Sequence, residues 1–282
     1  MDGAVVCQLS RMNQRVVVVE QGSIRLLHFN SRLIQSRMDL KDPGRLLAEY
    51  AKRMMVGLAG VTQVNRVLLV GLGGGSLARF FYRHFPTCQV EAVEPEPLVI
   101  LVAKDYFFPP GWCFPLVHQQ DGLSFMQQAP LARFRDYDLI FVDVFTAAGM
   151  AAPVHSTDFF QGCLRRLAGG GLVVINLGSS KQGAYQQAIS VLSHVFGDSL
   201  YLLKVTGTGN VIAVAGHSSW SSLNRERVRI LQRQLEIPLA DYLHDLHPLR
   251  RFHMFTSIPS ALTQPWQWLQ AWSRKTFRRQ NP

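Results

Sequence analysis

The chain has 282 residues, 48% of them hydrophobic, which suffices for a substantial core and excludes a disordered or fibrous protein. No stretch approaches the roughly 18–20 apolar residues of a membrane span, and the opening MDGAVVCQLSRMNQR lacks the apolar centre of a signal peptide, so a cytoplasmic protein with no membrane partner is expected. The formal charge of +10 favours anionic partners over cationic ones at long range, and +6 of it lies in residues 224–282, which hold ten Lys or Arg against four acids.

In chain order, VVVVE at 16–20, a QGS turn and IRLLHF at 24–29 read as a β-hairpin, with a further short strand near RLIQSRM at 32–38. Asp42, Pro43 and Gly44 then open a helix, LLAEYAKRMMVGLAG at 46–60, whose apolar positions recur at helical spacing. From 66 to about 215, short apolar runs alternate with helical stretches. RVLLVG, VEAVE, PLVHQQ, DLIFVD and GLVVINL are the strands, and YLLKV with VIAVA forms a closing antiparallel pair. Strands separated by helices require crossovers, hence an α/β fold with a doubly wound, mostly parallel Rossmann-like sheet. NRERVRILQRQLE at 224–236 is an amphipathic helix. The expected division is an N-terminal β-hairpin region with its linking helix (1–60), a Rossmann-like domain (61–216) and a helical basic extension (217–282). Cys7, Cys88, Cys113 and Cys163 show no spacing suited to zinc and are expected as small hydrophobes.

Chemistry concentrates at strand ends. RVLLVGLGGGSLARFF runs a buried strand through Gly71, Gly73 and Gly75 into a helix, so backbone can approach a ligand and free N–H groups face it. From Gly71 the pattern is GxGxG, usual in S-adenosylmethionine enzymes; from Gly73 it fits the GxGxxA of dinucleotide sites. Glu94 ends the next strand, nineteen positions beyond Gly75, where a carboxylate can accept both ribose hydroxyls of an adenosine. Asp121 and Gly122 follow the third strand. The acid can hold an adenine amino group while the glycine admits the ligand, or Asp121 can cap the following helix. Asp143 ends the fourth strand, so all four elements lie where open α/β sheets bind ligands.

Together with VEAVEPEPLVILVAKDYF, DGLSFM, YDLIFVDVF and STDFFQGCLRRLAGGGLVVIN, these residues resemble the spermidine synthase family of polyamine aminopropyltransferases over about residues 20–180. The resemblance implies a small β-domain before a methyltransferase-type Rossmann domain, and transfer of an aminopropyl group from decarboxylated S-adenosylmethionine to putrescine. It assigns Gly71, Gly73 and Gly75 to the donor, Glu94 to its ribose, and Asp121 and Gly122 to its adenine. Gln35 falls near the donor, and Asp143 becomes the carboxylate that deprotonates the attacking amine. The family's acceptor-side tyrosine falls on Leu47 or, one turn later, Tyr50.

The chain also departs from the family. Its second loop carboxylate falls on Thr146, placed with Tyr50 on the acceptor side, and its serines fall on Val144 and Phe145. Its glycine-loop acid is Gly74, and a glutamine after the fifth strand is Asn176. Binding a dication in a partly desolvated groove without paired carboxylates costs several kcal/mol, so the diamine site reads as degenerate. The expected function is therefore a spermidine synthase-like transferase binding S-adenosylmethionine or its decarboxylated form, with no metal. A methyltransferase and a non-catalytic nucleoside-binding scaffold are the alternatives. Expected partners are small-molecule substrates, with a homodimer allowed and nucleic acid not expected. His244, His247 and His253 lack the supporting ligands of a metal site. Trp266, Trp268 and Trp272 read as a packing face, and the RKTFRRQNP tail as a solvated terminus.

Overall fold

The computed structural model describes residues 3–11, 14–29, 34–128, 137–146, 149–179, 181–216, 220 and 223–250. The tryptophan-rich stretch and the basic tail lie outside them. Four antiparallel strands in sequence order open the chain: β1 (Ala4–Arg11), β2 (Gln14–Gln21), β3 (Ile24–Phe29) and β4 (Ile34–Asp39). The hairpin and the short third strand were legible, whereas β1 was not, because its burial is almost all solvent-facing and its sequence carries no strict alternation. The valines of β2 are buried on both faces, Val16 and Val18 against Val102 and Phe107, Val17 and Val19 against Leu26.

The predicted single helix at 46–60 is instead two short ones, α1 (Glu49–Met54) and α2 (Gly57–Gly60). Residues 42–44 do not start it. Asp42 pairs with Arg83, and the Pro43 carbonyl accepts Arg79 Nε at 2.7 Å, so both serve tertiary contacts. The break tightens through i→i+3 bonds from Met55 to Lys52 and from Val56 to Arg53. It sets Gly57 directly on the central sheet, where an added Cβ would stand 2.5 Å from Val174 Cγ2.

The central sheet has eight strands. Its parallel part comprises β5 (Arg66–Val70), β6 (Gln89–Val93), β7 (Leu116–His118), β8 (Tyr137–Val142) and β11 (Leu167–Gly178). Antiparallel β13 (Asn210–Gly216), β12 (Tyr201–Lys204) and β14 (His247–Pro248) complete one side, giving the order β14-β12-β13-β11-β8-β5-β6-β7. The two-residue strands β9 (Phe145–Thr146) and β10 (Gly149–Met150) pair separately. Alternation along the parallel strands splits the core into two layers. Val67, Leu69, Leu139, Phe141 and Val174 meet α1, α2, α3 (Ser76–His84) and α8 (Arg225–Leu235). Leu68, Val70, Ile140, Val142 and Ile175 meet α5 (Gly122–Gln127), α6 (Thr157–Arg166) and α7 (Gln182–Phe196). This is the expected doubly wound sheet, and its order reverses between β5 and β8, where open sheets form their crevice. Among the described residues the remaining α-helices are α4 (Pro97–Val102), which runs into a π-helical turn at Ala103–Phe107, and α9 (Leu239–His244). No helix among the described residues is long and apolar enough to cross a membrane.

Cys7 and Cys163 are buried, Cys88 is half-buried and Cys113 exposed, all as free thiols. At the opposite end of β8 from the crevice, buried Asp138 accepts the backbone N–H of Asn65 at 2.6 Å and of Arg66 at 3.0 Å, which fixes the entry of β5. Asp138→Ala leaves both donors without their acceptor and should cost about 2–3 kcal/mol in urea unfolding. A loss below about 0.5 kcal/mol, the ordinary surface range, would remove Asp138 from this role.

Candidate active site

The glycine loop lies at the carboxyl end of β5, with Gly71, Gly73 and Gly75 at φ of 93°, 51° and 72°. Each backbone is in the region that favours glycine, but the three have different surroundings. A Cβ on Gly71 would collide with the Asp143 carbonyl, and one on Gly75 with the Phe108 ring. At Gly73 nothing lies within 4 Å, so this glycine alone presents open concave backbone at the mouth of the sheet. Glu94 grips the loop from the side: its Oε2 accepts the Leu72 amide at 3.0 Å and its Oε1 the Glu96 amide at 3.1 Å. Burial pushes its carboxyl up while those backbone bonds pull it back. An ionised carboxylate retains further lone-pair sites for ribose hydroxyls.

Asp121 takes the capping role: its Oδ1 accepts the Ser124 amide at 2.9 Å, and bonds from Ser124 hold its carboxyl below the usual range. Gly122, which the sequence reading gave to the adenine, is packed by protein on the side where a Cβ would stand. A Cβ there would stand 2.9 Å from Val70 Cγ1 and 3.3 Å from Phe159, so the glycine brings α5 onto the sheet.

Asp143 follows β8 and is fixed by its own backbone, whose N–H donates to the Val70 carbonyl at 2.9 Å. Its Oδ2 accepts Tyr50 Oη at 3.1 Å and its Oδ1 accepts Asn176 Nδ2 at 2.9 Å. Asn210 Nδ2 in turn donates to Asn176 Oδ1 at 2.9 Å. Four elements thus converge on one carboxylate: α1, the end of β8, β11 and β13. Burial raises the Asp143 carboxyl above its ordinary value, with the Asn176 and Tyr50 bonds opposing. Burial and the adjacent carboxylate drive the Tyr50 phenol well above 10, so it remains a donor. Of the two tyrosine alignments, the hydrogen bond goes to Tyr50 and not to Leu47. Asn176 was visible as a departure from the family pattern, but Asn210 was missed. It begins the apolar strand NVIAVAG, and only the register pairing it with Gly178 brings it to Asn176.

Val144 lies against Gly71, and Phe145 packs near Gly178. Thr146 is placed by its backbone pairing with Gly149. Gln35 sits at a β-bulge, where the partners of β4 shift between Ser36 opposite Leu27 and Ile34 opposite His28. Next to it, Ser36 explains Gly74. A Cβ on Gly74 would lie 2.6 Å from Ser36 Oγ and 3.2 Å from Phe107 Cδ1, so no acid fits there. Below the loop Arg79, fully buried, donates to the carbonyls of Pro43 and Gly74 and packs its guanidinium against Phe107 and Phe108. Burial without a carboxylate partner lowers it to about 9. Among the described residues no group of three or more His, Cys, Asp or Glu is arranged to hold a metal ion.

Open space at Gly73 makes it the cleanest probe of the loop. Gly73→Ala meets no protein atom, so the fold should lose only the ~1–2 kcal/mol of a left-handed alanine. Binding of methylthioadenosine, read by calorimetry, should weaken by about tenfold or more; undiminished binding would place the ligand elsewhere.

The sequence model of the spermine/spermidine synthase domain matches residues 49–198. A polyamine aminopropyltransferase from Chromobacterium violaceum is 36% identical over 239 residues, covering 82% of this chain and 88% of that protein. One from Neisseria meningitidis is 31% identical, covering 76% and 80%. Among solved structures, human methyltransferase-like protein 13 in complex with SAH superposes with a TM-score of 0.58 at 29% identity, covering 68% of this chain and 93% of that one. A probable spermidine synthase from Corynebacterium glutamicum has the same fold, with a TM-score of 0.66 at 20% identity over 82% of this chain and 87% of that one. With its glycine loop, strand-end acids and Asp143 placed around one crevice, the chain belongs to the spermine/spermidine synthase family.

Proposed function

We propose that the protein is a spermidine synthase-type transferase that moves an alkyl group from a nucleoside-sulfonium donor to an amine, in the first instance an aminopropyl group from decarboxylated S-adenosylmethionine. The observation that carries this reading is the Asp143 carboxylate, held by Tyr50 and Asn176 on a residue whose backbone abuts Gly71 of the glycine loop. The amine lone pair attacks the carbon next to the sulfonium, the C–S bond breaks with its electron pair going to sulfur, and Asp143 accepts the proton released from nitrogen. Positive sulfur is a good leaving group, so the remaining catalysis is positioning and proton removal. A carboxyl raised by burial lies nearer the operating pH than an exposed one, which suits a proton acceptor.

The acceptor half supports an amine of low positive charge. Val144 and Phe145 stand where the family loop is polar, and one carboxylate faces the incoming nitrogen. A methyltransferase is the second reading, supported by the glycine at position 74 and by the likeness to a protein solved with SAH. The packing of Ser36 against Gly74 refines that reading: the missing acid leaves no extra room for a donor carboxylate and changes only the local charge. The released nucleoside separates the two chemistries, since aminopropyl transfer yields methylthioadenosine and methyl transfer yields SAH.

Asp143→Asn tests the mechanism. The folded carboxyl titrates above its ordinary 3.8, so its stabilising contribution is complete below that value and is lost as pH rises through the raised one. The asparagine variant escapes that loss and should be at least as stable as the parent at pH 7–8, while turnover falls by about 10²–10⁴-fold. Equal turnover of parent and variant across a panel of di- and polyamines would remove Asp143 from the chemistry.

A further inference from the structure

The sequence singled out the acids of this site, but the structure also brings two arginines, Arg37 and Arg79, to the glycine loop. Arg37 lies on β4, two residues beyond Gln35. Its carbonyl accepts Ser76 Oγ at 3.3 Å, and Ser36 Oγ lies 3.1 Å from the same hydroxyl, so this part of β4 is stitched to the first residue of α3 beside the glycine loop. The Arg37 side chain is half-buried and lies within electrostatic reach of Tyr50, whose hydroxyl is bonded to Asp143. Among the described residues no carboxylate pairs with it. Arg79, the second guanidinium at this loop, is committed to the carbonyls of Pro43 and Gly74. Of these two, and among the described residues, Arg37 is therefore the cation without a committed partner, and the packing at Gly74 leaves no room for an acid beside the loop.

We propose that Arg37 is a specificity-determining residue that binds a carboxylate carried by a substrate next to the reacting sulfonium. The inference rests on the reading of the crevice as a nucleoside-sulfonium site. A half-buried guanidinium without an acid is costly until an anion pairs with it, and a carboxylate supplies two acceptor oxygens to its planar fork. A bare ammonium at the same place would be repelled. The carboxylate has two sources: the donor, in ordinary S-adenosylmethionine, or the acceptor, in an amino-acid amine.

Two matched pairs separate them, because each differs by one carboxylate. S-adenosylmethionine and its decarboxylated form are titrated calorimetrically into the parent chain, Arg37→Gln and Arg37→Lys. Ornithine and putrescine are titrated into the same proteins loaded with methylthioadenosine. In one pair the parent should favour the carboxylated member by about tenfold or more. Arg37→Gln should bring that ratio near unity, and Arg37→Lys should retain part of it. Preference in the first pair assigns the carboxylate to the donor, and in the second to the acceptor. Ratios that Arg37→Gln leaves unchanged in both pairs, or a parent preferring the decarboxylated member of both, would overturn the proposal. Methylthioadenosine has no tail for Arg37 to reach. Its unchanged binding to the variants reports an intact site, whereas its failure to bind the parent would refute the sulfonium-site reading itself.

Discussion

The close approach of Gly71 to the Asp143 carbonyl is the constraint on which the site depends. β5 and β8 are neighbours in the sheet although a long stretch of sequence separates them, and their carboxyl ends meet where strand order reverses. A side chain at position 71 would strike the Asp143 backbone, so glycine there is required by packing before any ligand is considered. Two amide bonds complete the clamp, from Gly71 to the Val93 carbonyl and from Asp143 to the Val70 carbonyl, at 2.9 Å each. The glycine loop and Asp143 are thereby one rigid unit.

Charge follows from that geometry. Asp143 is half-buried against Tyr50 and Asn176, which supply hydrogen bonds but no countercharge, so its ionised form is less favourable than in water. Glu94 is buried too, but its oxygens each accept a backbone amide, from Leu72 of the glycine loop and from Glu96. Among the described residues Asp143 is thus the carboxylate bonded to Tyr50 and Asn176, and Arg79 lies beneath the glycine loop. A site that binds a free diamine needs the opposite balance, since two ammonium groups leaving water must each meet compensating charge.

The sequence revealed strands better than it revealed contacts between them. The parallel strands and the closing antiparallel pair were legible because each is a short apolar run bounded by Gly, Pro or acids. The strand-end positions of Gly71, Gly73, Gly75, Glu94 and Asp143 were legible because each follows an apolar run directly. Asn210 was hidden, since nothing within NVIAVAG predicts that register will bring its amide to Asn176. Ser36 was noticed only as a neighbour of Gln35, yet it is what excludes an acid at position 74. Nothing in the sequence marks Arg79, although it is a buried cation bonded to the loop carbonyl of Gly74. The split of the expected helix was equally out of reach, because periodicity continues across residues 55–56 while the tight approach of Gly57 to Val174 is tertiary.

That split connects the C-terminal extension to the chemistry. α1 has only six residues, too few for a helix to persist on its own. Its orientation, and hence the position of Tyr50, must come from packing. Glu49, adjacent to Tyr50, accepts the Tyr242 hydroxyl of α9 at 3.0 Å and pairs with Arg53 at 3.3 Å. The Arg53 guanidinium lies 4.7 Å from the centre of the Tyr242 ring and donates to Thr206 at 3.2 Å. One turn further on, Arg227 of α8 donates to the Leu58 carbonyl of α2 at 2.8 Å. Two elements of the extension therefore hold the two short helices against the sheet. Because Tyr50 spans from α1 to Asp143, a displacement of α9 would move the hydrogen bond on the Asp143 carboxylate without any direct contact between α9 and that carboxylate.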